Sequence, residues 1–220
     1  MPETFDKVVL AQHQKWIVRA PGGVQLRGRS ADVSTGTVQE VNLIGAEFVD
    51  CRFTGVTFRS VDLNGVKLSQ CTFIDCVFKD CTLQDALIKN STFQKGTLAG
   101  CEIPSWDVVD SAFVDLDLSH TNLYKAAFLR CSFLKTTFEA SKLKRADFSS
   151  CKIPACNFSR ANPERASFVD TNLIGCDFSN LSLDHTSFIR CALLGVQGHP
   201  EQPEQAFLER PDYSERGTAR

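Results

Sequence analysis

Large apolar residues recur at every fifth position over most of the chain, a period that neither a helix nor a plain strand has. Stepping by five from Leu43 gives 31 centres without an insertion, and 30 of them are large and apolar. The residue two places before each centre is usually small, and all ten cysteines lie in this column. The other three positions of each unit are mostly polar and suit turns and solvent. The pattern predicts a solenoid that buries two side chains of every five-residue unit.

The centres also sort by type when they are stepped by twenty residues. One column is aliphatic: Leu43, Leu63, Leu83, Ile103, Leu123, Leu143 and Leu183. Another begins with a run of phenylalanines: Phe53, Phe73, Phe93, Phe113 and Phe133. Like side chains favour stacking in register on successive rungs of a parallel solenoid. Four units therefore make one coil, and about eight coils give a rod of roughly 40 Å at ~4.8 Å per rung.

Units such as AEFVD, CTFID, TNLYK, ADFSS and TNLIG resemble those of the pentapeptide-repeat proteins over residues 31–195. The resemblance implies an all-β fold, a right-handed quadrilateral parallel β-helix with the central and small residues inside. The chain then divides into an N-terminal cap or irregular segment (1–30), the β-helix (31–195), and a short helix with a flexible tail (196–220). We expect residues 5–19 to form a capping helix or strand, and the C-terminal helix to span Glu204–Arg210.

The composition does not indicate that the protein binds nucleic acid or a membrane. The formal net charge is −2, so bulk charge does not indicate nucleic-acid or membrane binding. The chain has no apolar run near the ~18 residues of a membrane span. Its first residues lack the continuous apolar core of a signal peptide. We therefore expect a cytoplasmic protein whose cysteines are reduced.

The cysteines and histidines indicate no chemistry. In CTFIDCVFKDCTLQD the cysteines recur every five positions, which places them inside the solenoid as small core residues rather than as zinc ligands. Disulfides between rungs are disfavoured, because in-register side chains hold the Cβ atoms slightly too far apart. The four histidines lie outside this column and should be solvated. With no P-loop, GxGxxG or HExxH motif, the sequence predicts a non-enzyme without cofactor or metal.

Surface charge is the first candidate for function. Residues 41–120 carry eleven acidic and six basic side chains, whereas residues 121–195 carry six acidic and ten basic. Solubility is one explanation, because an edge-stacked β-rod needs surface charge to avoid aggregation; the other is a bipolar binding surface. The candidate acidic residues for a partner are Glu47, Asp50, Asp75, Asp80, Asp85, Asp107, Asp110 and Asp115. By period, Glu47, Asp50, Asp107 and Asp110 fall on one side of the rod, and Asp75 and Asp115 on the next. Basic residues crowd the later coils between Lys142 and Arg165.

Breaks in the repeat are the second candidate. Trp106 occupies the small-residue column and follows Pro104, so we expect Ile103–Val108 to be distorted or flipped outward. Pro163 replaces an apolar centre and lacks a ladder N–H, which predicts a kink between two sub-rods. Each break is either a local irregularity or a functional site.

The resemblance extends to the Qnr-, MfpA- and AlbG-like topoisomerase-protection proteins. It implies a DNA-mimicking rod that binds DNA gyrase or topoisomerase IV, confers drug resistance or self-immunity, and forms a homodimer through its C-terminal coils. The candidate dimer contacts are Phe188, Leu194, Phe207 and Leu208. A scaffold for another protein partner, through Trp106 or the basic patch, is the alternative. Direct nucleic-acid binding through Lys142–Arg165 ranks below both, because exposed aromatic residues other than Tyr124 are missing there.

Overall fold

The computed structural model describes residues 5–198 and 206–209 as a β-helix of about eight coils that begins with one helix, α1 (Lys7–Ile17). The predicted fold class is confirmed. In chain order the strands are β1 (Arg27–Arg29), β2 (Asp32–Gln39), β3 (Glu47–Val49), β4 (Arg52–Arg59), β5 (Lys67–Ser69), β6 (Thr72–Ile74), β7 (Val77–Lys79), β8 (Leu87–Lys89), β9 (Thr92–Gln94), β10 (Asp107–Val109), β11 (Ala112–Val114), β12 (Ala127–Leu129), β13 (Ser132–Leu134), β14 (Asp147–Ser149), β15 (Ser167–Val169), β16 (Thr186–Ile189) and β17 (Ala206–Glu209).

Four walls, numbered 1 to 4, follow the centres Leu43, Phe48, Phe53 and Phe58. Wall 2 is a ten-stranded parallel sheet in the order β1-β3-β5-β8-β10-β12-β14-β15-β16-β17. Wall 3 is built on the order β13-β11-β9-β6-β4-β2, and β7 extends the pairing of β4 onto wall 4. Walls 1 and 4 are completed by single parallel bridges, such as Asn42↔Asp62. Each bridge joins residues twenty apart, as the sorted columns predict.

The corners between walls explain the polar part of the repeat. The second residue after each centre has a positive φ near +50 to +60°, for example at Asp75 (φ 52°) and Lys125 (φ 59°). Asparagine and aspartate tolerate this left-handed region better than other non-glycine residues. The residue before a centre often caps the turn: Asn122 Oδ1 accepts from the Tyr124 N–H (3.2 Å), and Asn172 Oδ1 from the Ile174 N–H (3.0 Å). The NL unit therefore encodes a corner as well as a core residue.

Stacked phenylalanine rings fill the interior. On wall 3 the rings of Phe53 and Phe73 lie 4.7 Å apart, with 7° between their planes. On wall 4 Phe138 and Phe158 repeat this arrangement at 4.7 Å and 4°. Rings of neighbouring walls meet edge-on, so both favoured aromatic geometries occur in one core. Burial of each such ring contributes roughly 1.5–3 kcal/mol, which makes the core the main source of stability.

The N-terminal segment forms a helical cap, one of the two expected alternatives. The Asp6 side chain accepts from the Val8 N–H (2.6 Å) and so caps the helix. Phe5, which is fully buried, places its ring 6.1 Å from that of Phe48 and covers the first coil. A solenoid needs such a cover because its terminal rung has no neighbour. None of the described residues forms a helix long and apolar enough to cross a membrane.

The C-terminal segment differs from the prediction of a helix over 204–210. Ala206–Glu209 is a strand that pairs in parallel with Thr186–Ile189, so it adds one more rung to wall 2. Residues 204, 205 and 210 lie outside the described part of the chain. The twenty-residue register continues, since Ser187 lies opposite Phe207 and Phe188 opposite Leu208. Pairing with an open sheet edge outweighs the weak helical pattern of this segment.

Candidate functional site

The eight candidate acidic residues do not share one face. Glu47 and Asp107 lie on wall 2, and Asp50 and Asp110 lie at the corner after it. The remaining four are distributed over the three other corners: Asp75 and Asp115 follow wall 3, Asp80 follows wall 4, and Asp85 follows wall 1. Seven of the eight are exposed as predicted, and Glu47 is half-buried. Glu47, Asp50, Asp107 and Asp110 thus lie on one side of the rod and Asp75 and Asp115 on the next, as the period predicts. The eight residues together form no single stripe, because units five residues apart lie on different walls.

Cations on adjacent coils neutralise two of these carboxylates. Glu47 lies between Arg27 (3.3 Å) and Lys67 (3.1 Å), and the hydrogen bond from Lys67 is the main cause of its lowered pKa. Arg130 holds Asp110 with two hydrogen bonds of 2.7 Å, which lower the pKa of that carboxyl. Both pairs are exposed to solvent, so they contribute little to stability. They do reduce the negative charge that these residues offer to a partner.

Asp75, Asp80, Asp85 and Asp115 keep their charge free of close cations. Within the described part of the chain, no Lys, Arg or His nitrogen lies within 4 Å of these four carboxylates. Counted from the coil that begins at Leu43, they surround coils 2 to 4 on three corners. A partner that contacts all of them must enclose the rod on more than one side.

Trp106 is buried inside a regular coil, so the predicted distortion or outward flip is wrong. Its side chain is 1% exposed, and the ladder continues through it: the Asp107 N–H donates to Ala86 O (3.0 Å), and the Ala127 N–H donates to Trp106 O (2.7 Å). Small residues lie next to it in the same column, Ala86 and Ala126 on the adjacent coils. The column therefore leaves room for one indole.

The two prolines also fit without a break. Pro104 occupies the first corner position after its centre, and its carbonyl accepts from the Asp85 N–H (3.1 Å). At Pro163, walls 2 and 4 continue in register on both sides, so the predicted kink is absent. Pro163 removes one backbone hydrogen bond of wall 1 and leaves the other walls unchanged. The wall 1 bridges in the described chain end at Lys142↔Asn162, because Pro163 has no N–H for the next rung.

His13 is fully buried, which corrects the prediction that it is solvated. Its Nδ1 accepts from the Leu26 N–H (3.0 Å), and its ring stacks on Trp16 with centroids 5.4 Å apart. Nε2 lies near the backbone of Leu43 and Ile44 without a hydrogen bond among the described residues. Burial lowers the pKa of His13, and these backbone groups partly oppose the shift. His120 and His185 are exposed as expected, and His199 lies outside the described residues.

We expect His13 to make folding stability depend on pH. Because its pKa is lower in the folded state, the unfolded chain binds the proton first as the pH falls below about 6.5. The free energy of unfolding should be constant above that pH. Below it, the free energy should fall by up to ~1.4 kcal/mol per pH unit until the folded-state pKa is reached. Urea unfolding from pH 8 to 5 measures this slope, and the curve for His13→Asn should lack it. Parallel curves for the two proteins would contradict the assignment.

The cysteines point into the core, as predicted from the repeat. All ten are buried and free, and eight of the thiols face backbone carbonyl groups of the preceding coil, as Cys71 Sγ faces Phe48 O (3.3 Å). Burial raises the pKa of Cys71 to about 11 and that of Cys101 to about 12. A thiol with such a pKa is not a nucleophile near neutral pH. Among the described residues no group of three or more His, Cys, Asp or Glu side chains could hold a metal ion.

Thiol labelling should reflect this burial. At pH 8 we expect less than about one of the ten thiols of the native protein to react with an aromatic disulfide reagent within minutes, because all ten are buried. All ten should react at once in denaturant. Rapid labelling of several thiols in the native protein would show that the coils open.

The predicted dimer contacts are only partly described. Phe188 is 4% exposed and stacks on Phe168 at 5.1 Å, so in this structure it belongs to the core rather than to a surface. Leu194 is partly exposed at the corner after wall 3. Phe207 and Leu208 lie in β17, and the side chains of this strand are outside the described part of the structure.

Comparison with known proteins agrees with this architecture. A family model described as a pentapeptide repeat region matches residues 46–123 and 121–197. No curated protein matches the sequence. The solved structure of full-length QnrB1, a plasmid-mediated fluoroquinolone resistance protein, has a TM-score of 0.67 and 17% identity, covering 84% of this chain and 92% of its own. HetL, a pentapeptide repeat protein involved in heterocyst differentiation regulation in the cyanobacterium Nostoc, has a TM-score of 0.48 and 14% identity, covering 89% and 92%.

Proposed function

Since this chain belongs to the pentapeptide-repeat family, we propose that it is a cytoplasmic, non-enzymatic binding protein that protects a bacterial type II topoisomerase, DNA gyrase or topoisomerase IV, from topoisomerase poisons. The similarity to QnrB1 shows a shared fold, and QnrB1 is itself a fluoroquinolone resistance protein. The protective role, the topoisomerase partner and the use of the protein in drug resistance or self-immunity are proposals for this chain. So is the expectation that it forms a dimer.

The observation that carries the proposal is the placement of free carboxylates around the early coils. Asp75, Asp80, Asp85 and Asp115 are exposed on three corners of the rod. A DNA duplex likewise presents negative charge around its circumference. A protein groove that normally encloses DNA would contact several sides of this rod at once, and its basic residues would meet these carboxylates. A flat acidic patch would not use three corners.

Gyrase supercoiling with a fluoroquinolone, in the presence and absence of the protein, tests the proposal. We expect the wild-type protein to restore supercoiling and to bind gyrase directly. The triple variant Asp75→Lys, Asp80→Lys, Asp115→Lys should lose both effects by at least about tenfold, as expected for removal of several complementary charges. Lys152→Glu, an exposed charge reversal on a later coil, is the matched control and should behave like wild type. Absence of both binding and rescue by the wild-type protein would contradict the proposal.

A scaffold for another protein partner is the second candidate. Two apolar side chains on wall 2 and wall 3 favour it, since Leu129 is 37% exposed and Leu134 is 47% exposed. Trp106, which the sequence suggested for this role, is inside the core and cannot contact a partner. This alternative would be supported if the wild-type protein bound no topoisomerase but captured another protein, and if the variant Leu134→Lys no longer captured that protein.

A further inference from the structure

Wall 1 separates its charges along the length of the rod. The outward residues of its first four coils include the carboxylates Asp62, Asp85 and Glu102, and no lysine or arginine. The next four coils carry five cations against two carboxylates, Glu164 and Asp184; the cations are Lys125, Lys142, Lys144, Arg145 and Arg165. One half of this wall is therefore negative, and the other half is positive.

The hydrogen-bond ladder aligns three of these cations. At the corner after wall 1, the Lys125 N–H donates to Lys144 O (3.1 Å), and the Arg145 N–H donates to Glu164 O (3.0 Å). These bonds place Lys125, Arg145 and Arg165 one above another on successive coils, ~4.8 Å apart. All three are exposed, and their φ angles of 59–60° lie in the left-handed region. Like charges in register repel one another, so the row costs stability in the isolated chain.

Other parts of the chain avoid such a row. At the corner after wall 2, Arg130 pairs with Asp110 (2.7 Å), and Arg190 pairs with Asp170 (2.6 Å), each twenty residues away. On wall 1, Glu164 engages Lys144 at 2.8 Å and lies 3.9 Å from Arg165. Within the described chain, neither Lys125 nor Arg145 has a carboxylate within 4 Å. The cations nearest the middle of wall 1 thus lack the partners that this repeat supplies elsewhere.

We infer that wall 1 is a self-complementary interface that binds wall 1 of a second copy of this chain, with the two rods antiparallel. A twofold axis that lies in the interface, across the rods between the fourth and fifth coils, sets the negative half of each wall against the positive half of the other. Coils three and six then face each other. Asp85 of each copy faces Arg145 of the other, so the interface contains two such ion pairs. Such an interface closes on itself, as most homodimers do.

The residues nearest this axis are suited to the centre of an interface. Pro104 and Tyr124 occupy the same corner column on the fourth and fifth coils, so each would face the other across the axis. Both are half-buried, and the Lys125 ammonium lies 5.2 Å from the centre of the Tyr124 ring. An aromatic residue at the centre with charged residues around it is the common anatomy of a protein interface.

The size of wall 1 sets the expected strength. A single wall of a rod about 40 Å long is at the low end of interface areas for specific complexes. The attraction comes mainly from charges at the rim, which salt screens. We therefore expect a reversible dimer with a dissociation constant in the range of about 1–100 µM at low salt, weakened at least tenfold by 0.5 M NaCl. The inference does not rest on the proposed topoisomerase partner, which would compete with the second copy for Asp85.

A charge swap measured by analytical ultracentrifugation tests the interface on the full chain. Asp85→Arg alone and Arg145→Glu alone should each weaken the dimer at least about tenfold, because each places like charges opposite each other twice. The double variant Asp85→Arg, Arg145→Glu should recover most of the affinity, since both pairs are then restored with reversed sign. Asp75→Arg, an exposed reversal at the corner after wall 3, is the matched control and should dimerise like wild type. Circular dichroism confirms that each variant folds.

Three outcomes would overturn the inference. One is a wild-type protein that stays monomeric up to several hundred micromolar at low salt. Another is a dimer that neither reversal affects, which would indicate contact through the ends of the rods. The third is a monomer whose basic row binds a single-stranded oligonucleotide in fluorescence anisotropy and loses that binding in Arg145→Glu. In that case the occupant of the positive half is a nucleic acid.

Discussion

Replacement of Trp106 by alanine should lower the free energy of unfolding by about 3–5 kcal/mol, as expected for a fully buried tryptophan. The indole is 1% exposed and lies 6.3 Å from the ring of Phe93. The ring stack of wall 3 is wider beside the indole: Phe93 and Phe113 stack at 5.5 Å, whereas Phe73 and Phe93 stack at 4.6 Å. Alanine would leave a cavity beside these rings. Urea unfolding followed by far-UV circular dichroism measures the loss.

The matched variant Trp106→Phe distinguishes volume from hydrogen bonding. The indole Nε1–H is buried without a partner among the described residues, which costs about 1–3 kcal/mol. Phenylalanine removes this donor and keeps most of the volume, so its stability should stay within about 1.5 kcal/mol of wild type. If Trp106→Ala lost less than about 1 kcal/mol, the indole would not be a core residue. That result would revive the expectation of an outward flip.

The position of Trp106 was present in the sequence as a pattern of compensation. The phenylalanine stacks are interrupted at coils 2 to 4 on wall 2, where the centres are Leu68, Ile88 and Val108, and at coils 3 and 4 on wall 4, where they are Leu98 and Leu118. Space lost from these centres is available to an inward indole, which conserves the volume of the core. The five-residue pattern compares Trp106 only with the small residues of its own column, so by that comparison the indole is too large to be buried.

The repeat predicts the coil, the register and the core because each depends on residues five or twenty apart. The N-terminal cap does not repeat, so the burial of His13 could not be read in the same way. The strand at Ala206–Glu209 is in phase, since Leu208 lies twenty residues after Phe188, but Gly198 and Pro203 interrupt the run of apolar centres before it. The acidic residues do not form one stripe for another reason. They were grouped by the sign of their charge, whereas the wall of each follows from its position within the coil, as the separation of Asp75 from Asp80 shows.

Phe148→Ala should be more destabilising than the same change near the end of the rod. The ring of Phe148 is fully buried between Phe128 and Phe168, 4.9 Å from each, and it meets Phe138 and Phe158 edge-on. Loss of the ring should cost about 4–5 kcal/mol, at the upper end for a buried phenylalanine, because the aromatic pairs add to the burial term. Chemical denaturation of the full chain measures this loss.

The comparison with Phe188→Ala tests whether the core acts through neighbouring coils. Phe188 is also buried, but it lies one coil from the last described rung; it stacks on Phe168 at 5.1 Å and meets Phe178 edge-on at 5.8 Å. In a solenoid each coil is stabilised by those on either side, so a change in the middle uncouples two halves, whereas a change at the end frays one. We expect Phe188→Ala to lose roughly half as much, and Phe148→Ala to broaden the unfolding transition as its halves separate. Equal losses with unchanged cooperativity would mean that stability is shared along the whole rod, and that the stacked rings couple all eight coils rather than nearest neighbours.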